Sequence, residues 1–114
     1  MKIALESERI LVANKAVDFR RGVDGLSALV VEDMKQNPNK GLYVFYNKRL
    51  DRVKILGWHN NGFIMIYKRL ETGKFFIRAE EDNIKIDPAQ LNWLLIGLDW
   101  RLMSHDECKT NAYF

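Results

Sequence analysis

The chain has 114 residues, of which 47% are hydrophobic and 29% charged, and its net charge is +3. That length suits one globular domain with a single core and excludes a catalytic domain set beside a separate binding domain. Neither a basic start followed by an apolar segment nor a long apolar run occurs, so no signal peptide and no membrane helix are expected, and a cytoplasmic location follows. The lone Cys108 excludes an internal disulfide and a cysteine-based zinc site.

Taken in chain order, Arg9 to Ala13 (RILVA) reads as a short first strand. Asp18 stands where a helix N-cap would, and Phe19, Val23, Leu26, Val30 and Met34 trace one helical face. Gly22 and Gly25 lower the helix propensity, so this helix depends on packing against a sheet. It is expected to end before Pro38. Leu42 to Asn47 is apolar on both alternating faces, the pattern of a central strand buried on both sides. In Arg52 to Trp58, Val53 and Ile55 face one way, while Arg52 and Lys54 face the other. Asn61-Gly62 predicts a tight hairpin, followed by a strand from Phe63 to about Leu70, and Thr72-Gly73 permits a further turn before a strand at Lys74 to Ile77. The acidic run Glu80-Glu81-Asp82 reads as a solvated loop, with a short strand at Ile84 to Ile86 after it. Asp87-Pro88 starts a second helix with an apolar face through about Leu98. The expectation is an α+β domain over residues 1–100, an antiparallel β-meander packed with two main helices. Residues 101–114 form a tail that is either mobile or docked on a partner.

Charge is distributed unevenly along this plan. From Lys48 to Arg78 there are eight basic residues (Lys48, Arg49, Arg52, Lys54, Lys68, Arg69, Lys74, Arg78) and two acids (Asp51, Glu71), a local charge of +6, so the remainder sums to −3. A basic, aromatic-bearing sheet is the footprint of a surface that meets a polyanion, usually nucleic acid; the alternative is a merely solvated face. Arg52 and Lys54 alternate along one strand, about 6.6 Å apart, close to the spacing of phosphates on one DNA strand. Arg20 and Arg21 fall in the first turn of the expected helix, a poor place for cations. Either an acidic partner or the neighbouring Asp18 and Asp24 balances them.

The strings NKRLDRVKILGWHNNGF and YKRLETGKF, preceded by VDFRRGVDGLSALV and followed by QLNWLLIGLDW, resemble the accessory protein family TnpB of the IS-66 insertion sequences, the second open reading frame of those elements. The resemblance runs from about Arg9 to Trp100 in the same order. It is distinct from the RNA-guided nucleases that share the TnpB name. The resemblance implies a role in transposition beside a separate, larger transposase and other accessory proteins of the same element. The chain departs from the pattern in FFIRAEEDNIKI after Lys74, which is more polar than expected, and in IMIY before Lys68.

Catalytic chemistry finds little support. In-line attack on a phosphodiester by two metal ions needs clustered carboxylates. Asp51, Glu71 and Asp99 are candidates by position only, since the other acids weighed sit at helix starts, late in the first helix or in a loop. His59 and His105 are not spaced as a metal pair, Cys108 reads as an ordinary thiol, and phosphate-cradling glycine motifs are absent. No enzyme activity, cofactor or metal is expected. The leading reading is DNA binding at transposon ends through Arg20, Arg21, Lys48, Arg49, Arg52, Lys54, Lys68 and Arg69. The alternative is a protein adaptor that docks on the transposase without touching DNA. Trp58 and Tyr67 read as core residues; exposed beside the basic groups, they would favour single-stranded DNA.

Overall fold

A computed structural model of the chain describes residues 9–102. Five strands form one sheet in the order β4-β3-β2-β1-β5. The strands are β1 (Ile10–Val12), β2 (Leu42–Tyr46), β3 (Arg52–His59), β4 (Gly62–Arg69) and β5 (Ile84–Ile86). Two α-helices, α1 (Val23–Glu32) and α2 (Pro88–Leu95), and a 3-10 turn at Trp100–Leu102 complete it.

The expected meander is present. β2 pairs antiparallel with β3, and β3 with β4. All five residues of β2 are buried, as their apolar character on both faces requires. The antiparallel hairpin turns at Asn60-Asn61, one residue earlier than Asn61-Gly62: His59 faces Gly62 across the strands, and Asn60 takes the positive φ of 52°. What the meander omitted is that β1 joins the sheet beside β2 in parallel, with Ile10 opposite Leu42 and Val12 opposite Val44. Parallel neighbours need a crossover, and α1 supplies it. β5 then pairs antiparallel with the other side of β1, so a three-residue strand lies in the interior of the sheet.

Gly41, just before β2, has φ +141°, and a Cβ there would lie 2.8 Å from the carbonyl oxygen of Arg9. The Leu42 N–H donates to that same carbonyl at 2.7 Å. This close approach lets the chain enter β2 directly alongside β1.

α1 begins later than expected. Its N-cap is Gly22, which has no side chain to cap with, and Asp18 instead accepts the backbone N–H of Arg20 at 2.9 Å in a turn before the helix. Arg20 and Arg21 therefore precede the helix. α2 follows the sequence closely at its start, where Asp87 and Gln90 form a reciprocal capping box and Pro88 fills the first turn. It stops at Leu95, short of Leu98, with Gly97 at φ +84° just beyond.

The expected strand at Lys74 to Ile77 is an irregular strap. Phe75 and Ile77 are buried and Phe76 exposed, a strand-like alternation. Its backbone partners are elsewhere: the Phe75 N–H donates to the Leu50 carbonyl at 2.7 Å, and the Trp100 indole N–H donates to the Phe76 carbonyl at 2.8 Å. The strap is thereby held to the β2–β3 turn and to the 3-10 segment, and among the described residues none pairs with the outer edge of β4.

The two faces of the sheet have different covers. Residues opposite in antiparallel pairing share a face, which places Tyr43, Phe45, Arg52, Lys54, Leu56, Met65, Tyr67 and Arg69 on one side and Val44, Tyr46, Val53, Ile55, Ile66 and Lys68 on the other. Tyr43 donates to the carbonyls of Asn37 and Lys40 just after α1, so α1 lies over the first face. Lys68 donates to the Leu95 carbonyl at the end of α2, so α2 lies over the second.

Tyr46 links β2 to the chain leaving β1. Its hydroxyl donates to the Ala13 carbonyl at 2.8 Å, and burial pushes the phenol up to about 12. A raised phenol means the folded state favours the neutral form. Its contribution is fully present below pH 10, near the ordinary value, and is lost as pH rises towards 12. Tyr46→Phe is expected to lower stability by about 1 kcal/mol at neutral pH. It should also flatten the decline in stability above pH 10, as read by urea unfolding across that range. An alkaline limb as steep as that of the unmodified chain would contradict this.

Candidate nucleic-acid interface

The site grows out of the turn between β2 and β3. Asn47 organises it: its side-chain oxygen accepts the backbone N–H groups of Asp51 (3.1 Å) and Arg52 (3.0 Å), and its amide donates to the Asp51 carboxylate at 2.6 Å. Leu50 adopts φ 60°, turning the chain back into β3. With the backbone fixed from within, Lys48 and Arg49 project exposed at the tip. The Asn47 amide holds the Asp51 carboxyl below its ordinary range, helped by Arg49 and Arg52.

Arg52 opens β3 and stands directly opposite Arg69, the last residue of β4, on the same face. Like charges in this cross-strand position are destabilising. Arg69 reaches Glu71 at 3.3 Å, an exposed pair of small worth. The Nε of Arg52 is buried and meets no hydrogen-bond partner among the described residues. Lys74 joins the same end of the sheet, because the neighbouring Phe75 is tied to Leu50. Lys48, Arg49 and Lys74 form no ion pair among the described residues.

Two of the expected binding residues are structural. Lys54 is only 7% exposed, and its Nζ donates to the carbonyls of Phe19 (2.8 Å) and Arg21 (2.9 Å) while lying 4.7 Å from the Phe19 ring centroid. The segment before α1 crosses β3 at that point and covers it. Lys68 lies on the opposite face from Arg69 and donates to the Leu95 carbonyl at 2.6 Å. Neither ammonium is available to a ligand at the basic end.

Arg20 and Arg21 are brought towards the same face by Lys54. Arg20 is paired with Asp18 at 2.6 Å, and its side-chain hydrogen bond pulls the Asp18 carboxyl down to about 2. Its charge is answered locally, as one of the two explanations required. Arg21 is exposed and forms no ion pair among the described residues.

The aromatic residues divide. Trp58 donates to the Asn60 carbonyl and packs edge-on against Phe63 with centroids 5.0 Å apart, which makes it part of the hairpin. Tyr67 is 50% exposed, two residues from Arg69 and opposite Lys54, with the Phe19 ring 6.4 Å away. Only Tyr67 meets the condition of an exposed ring beside the basic groups.

The acidic candidates have structural roles. Asp51 is held by Asn47, Glu71 meets Arg69, and Asp99 accepts the Arg101 N–H at 3.2 Å to start the 3-10 turn. His59 closes the β3–β4 hairpin opposite Gly62, while His105 and Cys108 lie outside the described residues. Among the described residues no three His, Cys, Asp or Glu side chains gather as a metal set, and no helix is long and apolar enough to cross a membrane.

The arrangement defines a small α+β domain whose distinctive surface is a basic sheet end around two opposed arginines. The family model described as "IS66 Orf2 like protein" matches residues 8–105, and the chain belongs to that family, the TnpB accessory proteins of IS66 transposition. It is 42% identical over 94 residues to the protein y4jC of Sinorhizobium fredii, covering 81% of this chain and 80% of that one. It is 37% identical over 98 residues to y4hO of the same organism, covering 84% and 85%. No solved structure matches.

Proposed function

We propose that this transposition accessory protein binds DNA at the element's ends through the basic end of its sheet and assists a separate transposase there. The observation that carries the reading is the Arg52–Arg69 pair: two arginines opposed on adjacent strands and on one face, beside the exposed Lys48-Arg49 tip. An anion between them adds to the partial relief that Glu71 and Asp51 give this pair, and a phosphate accepts from several guanidinium donors at once. The revised surface is Arg21, Lys48, Arg49, Arg52, Arg69 and Lys74, with Lys54 and Lys68 removed and Arg20 reduced by its pair with Asp18.

Fluorescence anisotropy against labelled transposon-end duplex, scrambled duplex and single strand, at two salt concentrations, tests this. Binding should be largely independent of sequence and weaken steeply with salt. Lys48→Gln with Arg49→Gln, both exposed, should shallow the salt dependence on duplex by a slope of about 0.9 per lost contact without changing stability. Preference for the single strand would implicate stacking on Tyr67. Absence of binding to all three at low salt would overturn the reading in favour of an adaptor docked on the transposase.

A further inference from the structure

We propose that the outer edge of β4 is a self-complementary interface that joins two copies of this chain into one continuous sheet, with Met65 on the twofold axis. β4 is an end strand of eight residues, far longer than the three-residue strand at the opposite edge. Its register with β3 is continuous from Arg52–Arg69 to His59–Gly62, without a bulge, and its centre, Phe63-Ile64-Met65-Ile66-Tyr67, holds neither charge nor proline. Ile66 is 44% exposed on one face and Tyr67 50% on the other. Edges of this kind normally carry a charge, a proline, a bulge or a covering loop; in β4 the charges Lys68 and Arg69 stand at one end only, and among the described residues nothing pairs with the outer side of the uncharged centre, which leaves it fit to pair with another strand.

The sequence of the edge indicates which strand. Phe-Ile-Met-Ile-Tyr reads nearly the same in both directions about Met65, so an antiparallel twofold pairing there sets an apolar side chain against a similar one at every position. The Leu70 N–H donates to the Asp51 carbonyl, which sets the phase of the β3–β4 ladder. Even-numbered residues of β4 direct their backbone groups at β3, and Phe63, Met65 and Tyr67 direct theirs outward. A copy placed about an axis through Met65 therefore pairs Met65 with Met65, Phe63 with Tyr67 and Ile64 with Ile66, with the outward N–H and C=O groups in hydrogen-bonding phase. Lys68 then faces Gly62, so the cations of the two copies sit at opposite ends. A parallel arrangement would set the Lys68-Arg69 pairs beside each other.

Sedimentation velocity from about 1 to 100 μM should show a dimer. Ile66→Lys, on an exposed side chain, should shift the dimer to monomer while circular dichroism stays unchanged. In a Cys108→Ser background, Met65→Cys should cross-link on mild oxidation, because hydrogen-bonded antiparallel partners have Cα atoms about 5.5 Å apart, within disulfide range. Ile66→Cys should not, since the two copies of residue 66 are offset by two positions. A monomer throughout that range, or equal cross-linking by both cysteine variants, overturns the proposal. Pairing of the edge with a different protein would appear as the first of these. DNA binding is not required for either outcome.

Discussion

Lys54→Met should lower the unfolding free energy by about 3 kcal/mol, whereas Arg49→Met in the adjoining turn should change it by no more than about 0.5 kcal/mol. Both substitutions remove one positive charge from the same stretch, so the contrast is one of environment. Lys54 is buried and its ammonium joins two backbone carbonyls, those of Phe19 and Arg21, to the middle of the sheet. Hydrogen bonds from a charged donor contribute about 1.5 to 3 kcal/mol each, and contact with the Phe19 ring adds to them. Relief from burying the ammonium offsets part of the loss. Against a typical domain stability of about 5 to 15 kcal/mol, the net effect is large. Urea unfolding measures it. Amide exchange should speed up first around residues 18–22, since the uncapped start of α1 depends on this anchor. If Lys54→Met unfolds at the same urea concentration as the unmodified chain, the lysine is not structural. The same geometry makes charge reversal at Arg49, Arg52 and Lys54 together a poor test of DNA binding, because Lys54→Glu would place a carboxylate against two carbonyl oxygens.

Where the sequence was legible, short-range physics carried the information. The pattern of β2, the hairpin after His59 and the Asp87-Pro88 helix start each rest on a few neighbouring residues, and the structure places them within a residue or so of expectation. The parallel β1–β2 pair was hidden because three apolar residues carry no period, and only the long-range register of Ile10 with Leu42 reveals them as an interior strand. Asp18 misled because it satisfies its capping preference in a local turn with Arg20, four residues ahead of Gly22. The Lys74 to Ile77 segment misled for a different reason. Its alternation correctly reports which side chains are buried, but burial against a turn and an indole produces the same pattern as burial in a ladder.

The same distinction runs through the basic surface. Lys68 and Arg69 are neighbours in sequence and opposite in direction, a separation that strand periodicity already contains. Lys54 shares a face with Arg52, as periodicity says, but its burial comes from a segment more than thirty residues earlier, to which it donates at Phe19. The opposition of Arg52 and Arg69 depends on the length of the intervening hairpin. With the turn at Asn60-Asn61 the first residue of β3 meets the last of β4, and a slip of one residue in the register would break the pair.

Substituting that pair should move stability and affinity in opposite directions. Arg52→Gln removes one of two opposed cations and the group bearing the unmet Nε, so the fold should be unchanged or more stable by up to about 1 kcal/mol. DNA affinity should fall about tenfold for Arg52→Gln, and about a hundredfold when Arg69→Gln is added, the scale expected when charge-assisted contacts to phosphate are lost. On duplex the salt slope should become shallower by about 0.9 for each contact removed, and on single strands by about 0.7. Paired measurements of urea unfolding and anisotropy on the same preparations separate this from a structural role, in which stability and affinity would fall together. If the double variant binds every DNA as tightly as the unmodified chain, the arginine pair is not the phosphate contact.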